Sequence, residues 1–212
     1  MKNRMESFGS HNKNPYGHLE SPEFKKGVET LETIDEIGWQ SKIIILATAL
    51  NLKPASLIEF RGHPEERKKI IEMFRDLGLF FSENEDKAEE YYEDDHLLTF
   101  RIGSTAANLA EAKMVHVSDN RHFGTSMGFP ATSVEAYSRW QENKKENDLL
   151  MPQKEYHKVL TKEEDKFVFF RLSKEHYEEE IEWVEQIIAA VKQYAPRLYE
   201  EVISQPDHRN IV

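Results

Sequence analysis

Cysteine is absent from all 212 residues. Disulfides, thiolate nucleophiles and Cys-based zinc sites are thereby excluded, and nothing points to export. Long apolar runs are missing as well. The longest, IIILA at 43–47, falls far short of the roughly 18 residues a membrane-spanning helix needs. The N-terminal stretch lacks the apolar h-region of a secretory signal. The expected location is therefore cytoplasmic, with no membrane partner. Several motifs that carry chemistry are missing too. Neither GxxxxGK[ST] nor GxGxxG occurs, so ATPase and dehydrogenase chemistry have no direct support and the cofactor stays unknown. No HExxH or HxH spacing exists to hold a metal, and none is expected. No GxSxG elbow presents a serine nucleophile.

What is there suits one globular domain. Hydrophobic residues make up 39% and charged residues 32%, enough for a core on the polar side of average. Lys and Arg number 28 against 39 Asp and Glu, a formal net charge of −11. Such a chain repels nucleic acid unless its positive charge is gathered locally. The acid is concentrated in ENEDKAEEYYEDD at 83–95, which reads as a solvated loop or exposed helix. It lacks the central Gly and terminal Glu of a calcium loop.

Residues 1–20 read as a flexible arm and 21–212 as a single domain. SPEF at 21–24 begins a helix: Ser21 caps it, Pro22 fits its first turn, and Glu23 suits the positive end of the dipole. A second helix follows Gly38, with Trp39, Ile43, Leu46 and Leu50 on one face. ASLIEFRG, LFF and HLLTFRIG read as strands, and HPEERKKIIEMFRDLG and STAANLAEAKMVHV as helices. KFVFFRLS near 166–172 reads as a further strand. A long C-terminal helix starts at Ser173, with an inner stripe of Ile181, Val184, Ile188 and Val191 and a break near Pro196. The expected class is α/β, with α+β as its alternative: a small mixed or parallel sheet of three to four strands packed by helices.

Three of the strand readings share a shape. Phe60 and Arg61, Phe100 and Arg101, and Phe170 and Arg171 each stand near a strand's C-terminal end, just before a helix. In parallel neighbours those ends gather at one edge, beside helix N-termini. Arg61, Arg101 and Arg171 would then line a pocket for a small phosphate- or carboxylate-containing ligand, with Ser104 and Ser173 donating as well. The alternative is that these arginines pair with the plentiful glutamates. His63, His122 and His176 are the candidate acids or bases, should one border that pocket.

RHFGTSMGFPATSVEAYSRW at 121–140 raises a different prospect. Gly124, Gly128 and Val134 stand at the offsets of a small residue, a turn glycine and an aliphatic clamp. The stretch resembles a helix–turn–helix, and the resemblance implies a DNA-binding regulator using residues 121–145. Thr132, Ser133, Arg139, Lys144 and Lys145 would touch DNA. Against this, PATSVEAY has no Arg, Lys, Asn or Gln to read bases, and the net charge disfavours a nucleic-acid partner. A further alternative is an interaction module, in which the C-terminal helix buries its stripe against another chain, including a second copy of this one. Whether the protein is an enzyme stays open.

Overall fold

The chain was analysed as a computed structural model, which describes residues 18–62, 64–83, 96–142 and 149–206. The arm at 1–17, the acidic segment at 84–95, His63, Lys144 and Lys145 lie outside the described residues. The fold is mixed α/β, a three-stranded sheet packed by helices.

Ser21 accepts the Phe24 amide at 3.1 Å and starts α1 (Pro22–Thr33), with Pro22 in its first turn. After Gly38, α2 (Trp39–Ala49) runs through IIIL as helix. Just past its C-cap, Asn51 has a positive φ of 57° and turns the chain toward the sheet. β1 (Ala55–Gly62), α3 (Pro64–Asp76) and β2 (Phe80–Glu83) follow, with Gly78 at φ +72° closing α3. β3 (His96–Gly103) leads into α4 (Ala106–Met114), α5 (Asn120–Ser126) and α6 (Ala131–Glu142). A 3₁₀ turn at Gln153–Lys158 precedes α7 (Lys162–Phe167), α8 (Tyr177–Tyr194) and α9 (Pro196–Ser204). Pro196 sits in the first turn of α9, so the break expected there is present.

The sheet order is β1-β3-β2, and both outer strands run antiparallel to β3. The expected mixed or parallel arrangement is thus corrected in direction. Its physical basis is visible in the connection. β1, α3 and β2 form a crossover whose two strands run the same way, as a strand–helix–strand unit does. β3 then inserts between them and reverses both pairings. Sequence order alone carries no information about such an insertion.

The expected strand at 166–172 is also corrected. Thr161 and Glu164 form a reciprocal capping box that starts α7 and takes residues through Phe167 into helix. Residues 168–172 join no sheet. Met151 N donates to Leu172 O at 2.9 Å, Leu172 N donates to the Tyr156 hydroxyl at 3.0 Å, and the Ser133 hydroxyl donates to Arg171 O at 2.8 Å. Loops and side chains thus satisfy this backbone, as buried peptide groups require. The long helix begins at Tyr177, not Ser173, because the Ser173 Oγ caps the turn by accepting the His176 amide at 3.1 Å.

One face of the sheet, carrying Ile58, Phe60, Phe100 and Ile102, packs into the main core with α1, α2, α3 and α8. Phe100 meets the rings of Phe60, Phe74 and Phe81 with centroids 5.8, 5.5 and 6.4 Å away. The α8 stripe of Val184, Ile187, Ile188 and Val191 is buried in this same core. The surface that an interaction module would use is thus spent internally. The other face packs Ala55 and Leu57 against Ala112, Phe123, Met127 and Phe129. That second layer positions the candidate site. Among the described residues, no helix is long and apolar enough to cross a membrane.

Candidate functional site

The site is built on the connection from α5 to α6. Asp119 caps α5 by accepting the His122 amide at 3.1 Å, and its carboxylate also meets His122 Nδ1 at 2.7 Å. These contacts from His122 hold the Asp119 carboxyl below its ordinary range. The α5 C-terminus closes with Gly128 N donating to Thr125 O and Phe129 N to Gly124 O, at 2.9 and 3.1 Å. This is a Schellman turn, and it places Gly128 at φ +68°. Pro130 then ends the turn and α6 begins. A Cβ on Gly124 would lie 2.8 Å from Val134 Cγ2, so the two helices cross at near-backbone contact.

The helix–turn–helix spacing therefore corresponds to a real crossing of two helices. The α6 surface is poorly suited to a polyanion, however. Thr132 Oγ1 donates to Glu180 Oε1 at 2.8 Å, and Ser133 donates to the Arg171 carbonyl. On the exposed side, Arg121 lies 3.2 Å from Glu135 and 3.9 Å from Glu142, and both glutamates face outward around Arg139. Among the described residues, two carboxylates thus stand beside the two guanidiniums of this surface.

Of the arginines expected to share a pocket, the side chain of Arg61 lies outside the described residues, and Arg101 and Arg171 are set apart. The backbone of Arg61 pairs with Leu97, and that of Arg101 with Leu57. The two positions stand four residues apart along β1, ~13 Å. Antiparallel pairing sends the strand ends to opposite edges. The Arg101 guanidinium donates to Lys113 O at 3.0 Å and to Val115 O at 3.5 Å, so it closes the C-terminus of α4. Ser104 donates to Asn51 Oδ1 at 2.8 Å, lies 3.2 Å from Pro54 O, and receives the Asn108 amide side chain at 2.8 Å. That serine ties the start of α4 to the loop before β1.

Arg171 has a different setting. It lines a cavity of about 280 Å³ between α5, α6 and the segment at 168–171. Phe123, Phe129, Tyr137, Phe169 and Phe170 supply the walls, and Asn120 and Ser133 supply polar edges. Phe129 lies 6.2 Å from both Phe169 and Phe170, centroid to centroid, and Trp183 packs behind them at 5.7 and 5.5 Å. Among the described residues, Arg171 is the one charged residue on this lining. Its guanidinium faces the Tyr156 hydroxyl, while burial pushes that phenol's pKa up. The Arg171 Nε is buried with no hydrogen-bond partner, and among the described residues no carboxylate lies within ion-pair distance of the guanidinium.

A second cavity of about 300 Å³ lies on the far side of the α6 N-terminus. It gathers Thr132, Arg139, Ser173 and His176, together with Glu135 and Glu175. Four of the residues proposed from sequence therefore do meet, in a setting of mixed charge. Between the two cavities stands Glu180, fully buried, accepting from Thr132 Oγ1 and from Ser173 N at 2.8 Å each. His122 is exposed and bound to Asp119, apart from both cavities. No three His, Asp or Glu groups gather as metal donors among the described residues.

Sequence reasoning missed three residues of this region. Tyr156 lies in a polar stretch with no periodic signal. Glu180 stands among Glu178, Glu179 and Glu182, indistinguishable by type from its exposed neighbours. Lys53 precedes a proline at the end of a helix, where a lysine is ordinarily solvated, yet it is 1% exposed. Comparison of the chain with models of protein families, with curated proteins and with solved structures gives no match.

Proposed function

We propose that the protein binds a small molecule with an apolar, preferably aromatic, body and a single anionic group, in the cavity walled by Phe123, Phe129, Tyr137, Phe169 and Phe170. The observation that carries this reading is Arg171: the residue with a charged side chain among the described residues lining an aromatic cavity, its Nε buried and left unpartnered. A carboxylate or phosphate matches a guanidinium's fork of donors, and an aromatic body would pack against the ring-lined walls of the cavity. Asn120 and Ser133 would orient the ligand's polar edge. The second cavity is the weaker candidate, because Glu135 and Glu175 oppose an anion there.

The test is calorimetric titration with benzoate, phenylacetate and phenyl phosphate, with benzyl alcohol as the uncharged control. The anions are expected to bind and the alcohol to bind at least tenfold more weakly. Arg171→Met is expected to abolish that preference, with Arg171→Lys intermediate because an ammonium cannot grip bidentately. Equal binding of alcohol and acid, or full retention of acid binding in Arg171→Met, would sink the reading.

A further inference from the structure

Lys53 lies in the loop between α2 and β1, and its side chain runs behind the cavity wall. Nζ donates to the Met127 carbonyl at 2.5 Å and lies 4.1 Å from the centre of the Phe129 ring. The Phe169 and Trp183 ring centres are each 5.6 Å away. An ammonium has three donors, and among the described residues Nζ has this one acceptor. The charged groups of the surrounding elements are engaged elsewhere. Glu180, one turn before Trp183 on α8, binds Thr132 and Ser173; Arg171 faces Tyr156; Asp119 of α5 holds His122; Lys42 of α2 pairs with Glu201; Glu59 of β1 is exposed. Only one carbonyl dipole and three ring faces are left to hold the cation. The same loop braces the corner at 127–129, since the Gly128 backbone packs directly on Pro54.

We propose that Lys53 is a proton-controlled latch on the aromatic cavity: uptake of a solvent proton by the Nζ lone pair lifts the corner at 127–129 off the loop at 53–54 and opens the wall at Phe129. In the closed packing Met127 O is the one acceptor for Nζ among the described residues, and the ring faces return only part of an ammonium's hydration. The ammonium regains its hydration only when the corner lifts. As regulation of ligand entry the proposal rests on the binding reading; the latch itself stands on the packing alone.

Burial pushes the Lys53 ammonium down to about 7, from an ordinary value of 10.5. Opening the corner therefore takes up a proton between those two pH values and none outside them. The opening constant rises as pH falls through this window, about fifty-fold from pH 9 to pH 7, and then levels off.

Amide hydrogen exchange at Gly128 and Phe129, corrected for intrinsic rates, reads the opening if lifting the corner unwinds the turn that binds these amides to Thr125 O and Gly124 O. The wild type is expected to show that rise, and Lys53→Met to show none. A ¹⁵N-lysine titration of the wild type, which needs no variant to fold, is expected to place the Nζ midpoint near neutrality. A midpoint near the ordinary lysine value, or exchange at the corner independent of pH, overturns the latch. Phenylacetate should associate faster at pH 7 than at pH 9. An unchanged rate beside pH-dependent exchange overturns the link to the cavity, whereas no phenylacetate binding at any pH overturns the anion reading and leaves the exchange result to decide the latch.

Discussion

Gly128→Ala is expected to destabilise the protein by about 3 kcal/mol or more, from two causes that add. The first is conformational. At φ +68° an L-residue sets its Cβ against its own carbonyl, which costs ~1–2 kcal/mol. The second is steric. The new Cβ would fall 2.1 Å from Pro54 Cδ, a ring atom in a rigid loop. Pro54 cannot easily yield, because its carbonyl accepts Ser104 N at 2.9 Å and its neighbour Lys53 is buried. The measurement is urea denaturation, in which a lower midpoint at unchanged slope reports lost stability. Gly78→Ala separates the two causes. Gly78 has nearly the same dihedral, φ +72°, but among the described residues its Cβ would meet only the His18 ring, at 3.5 Å. It should lose about 1 kcal/mol, the conformational part alone. Similar losses in both variants would mean that the corner does not press on Pro54, and the latch would lose its brace.

How far the sequence disclosed this fold depends on the range of the interaction that decides each element. Local signals were legible. Ser21 and Pro22 start α1, Gly78 closes α3, Pro196 starts α9, and the helical spacing of Ile43 and Leu46 outweighs the β-branched run beside them. Gly124 and Val134 marked a true helix crossing from their spacing alone. One local signal competed with a stronger-looking one: the capping box of Thr161 and Glu164 claims Phe167 for helix, against the β-like run VFFRL. Non-local choices were not legible. Nothing in the text of β3 reveals that it inserts between β1 and β2, and that insertion parts the positions of Arg61 and Arg101. Arg101 closes α4, and Arg171 lines the aromatic cavity, carried by a segment that is not a strand. The rest of the site depends on which polar side chains the fold buries. That is decided by packing partners far away in the chain, as Glu180 and Thr132 show.

Glu180→Ala is expected to cost about 3–5 kcal/mol, because a buried group with two hydrogen bonds is removed and both donors stay behind. The carboxylate is fully buried and accepts from Thr132 Oγ1 on α6 and from Ser173 N beside α8, each at 2.8 Å. It is therefore the joint between the α6 N-terminus and the chain that carries Arg171. Without it the Thr132 hydroxyl and the Ser173 amide face a void that excludes neither cost. Glu180→Gln should be far milder, about 1 kcal/mol, because the two donors differ in kind. The Ser173 amide can only donate and must keep the remaining carbonyl oxygen. The Thr132 hydroxyl can reverse and accept from the new NH₂. That asymmetry makes a further comparison informative. Thr132→Val should cost the wild type roughly 1–2 kcal/mol, by leaving one carboxylate oxygen without its donor, and should cost the Glu180→Ala protein much less. Urea midpoints for the four proteins close the cycle. Additive losses would show that Glu180 and Thr132 do not act together, and that α6 is held to the Arg171 segment by its apolar contacts alone. A coupled result would place the integrity of both cavities on a single buried carboxylate, which a sequence so rich in glutamate has no means of marking.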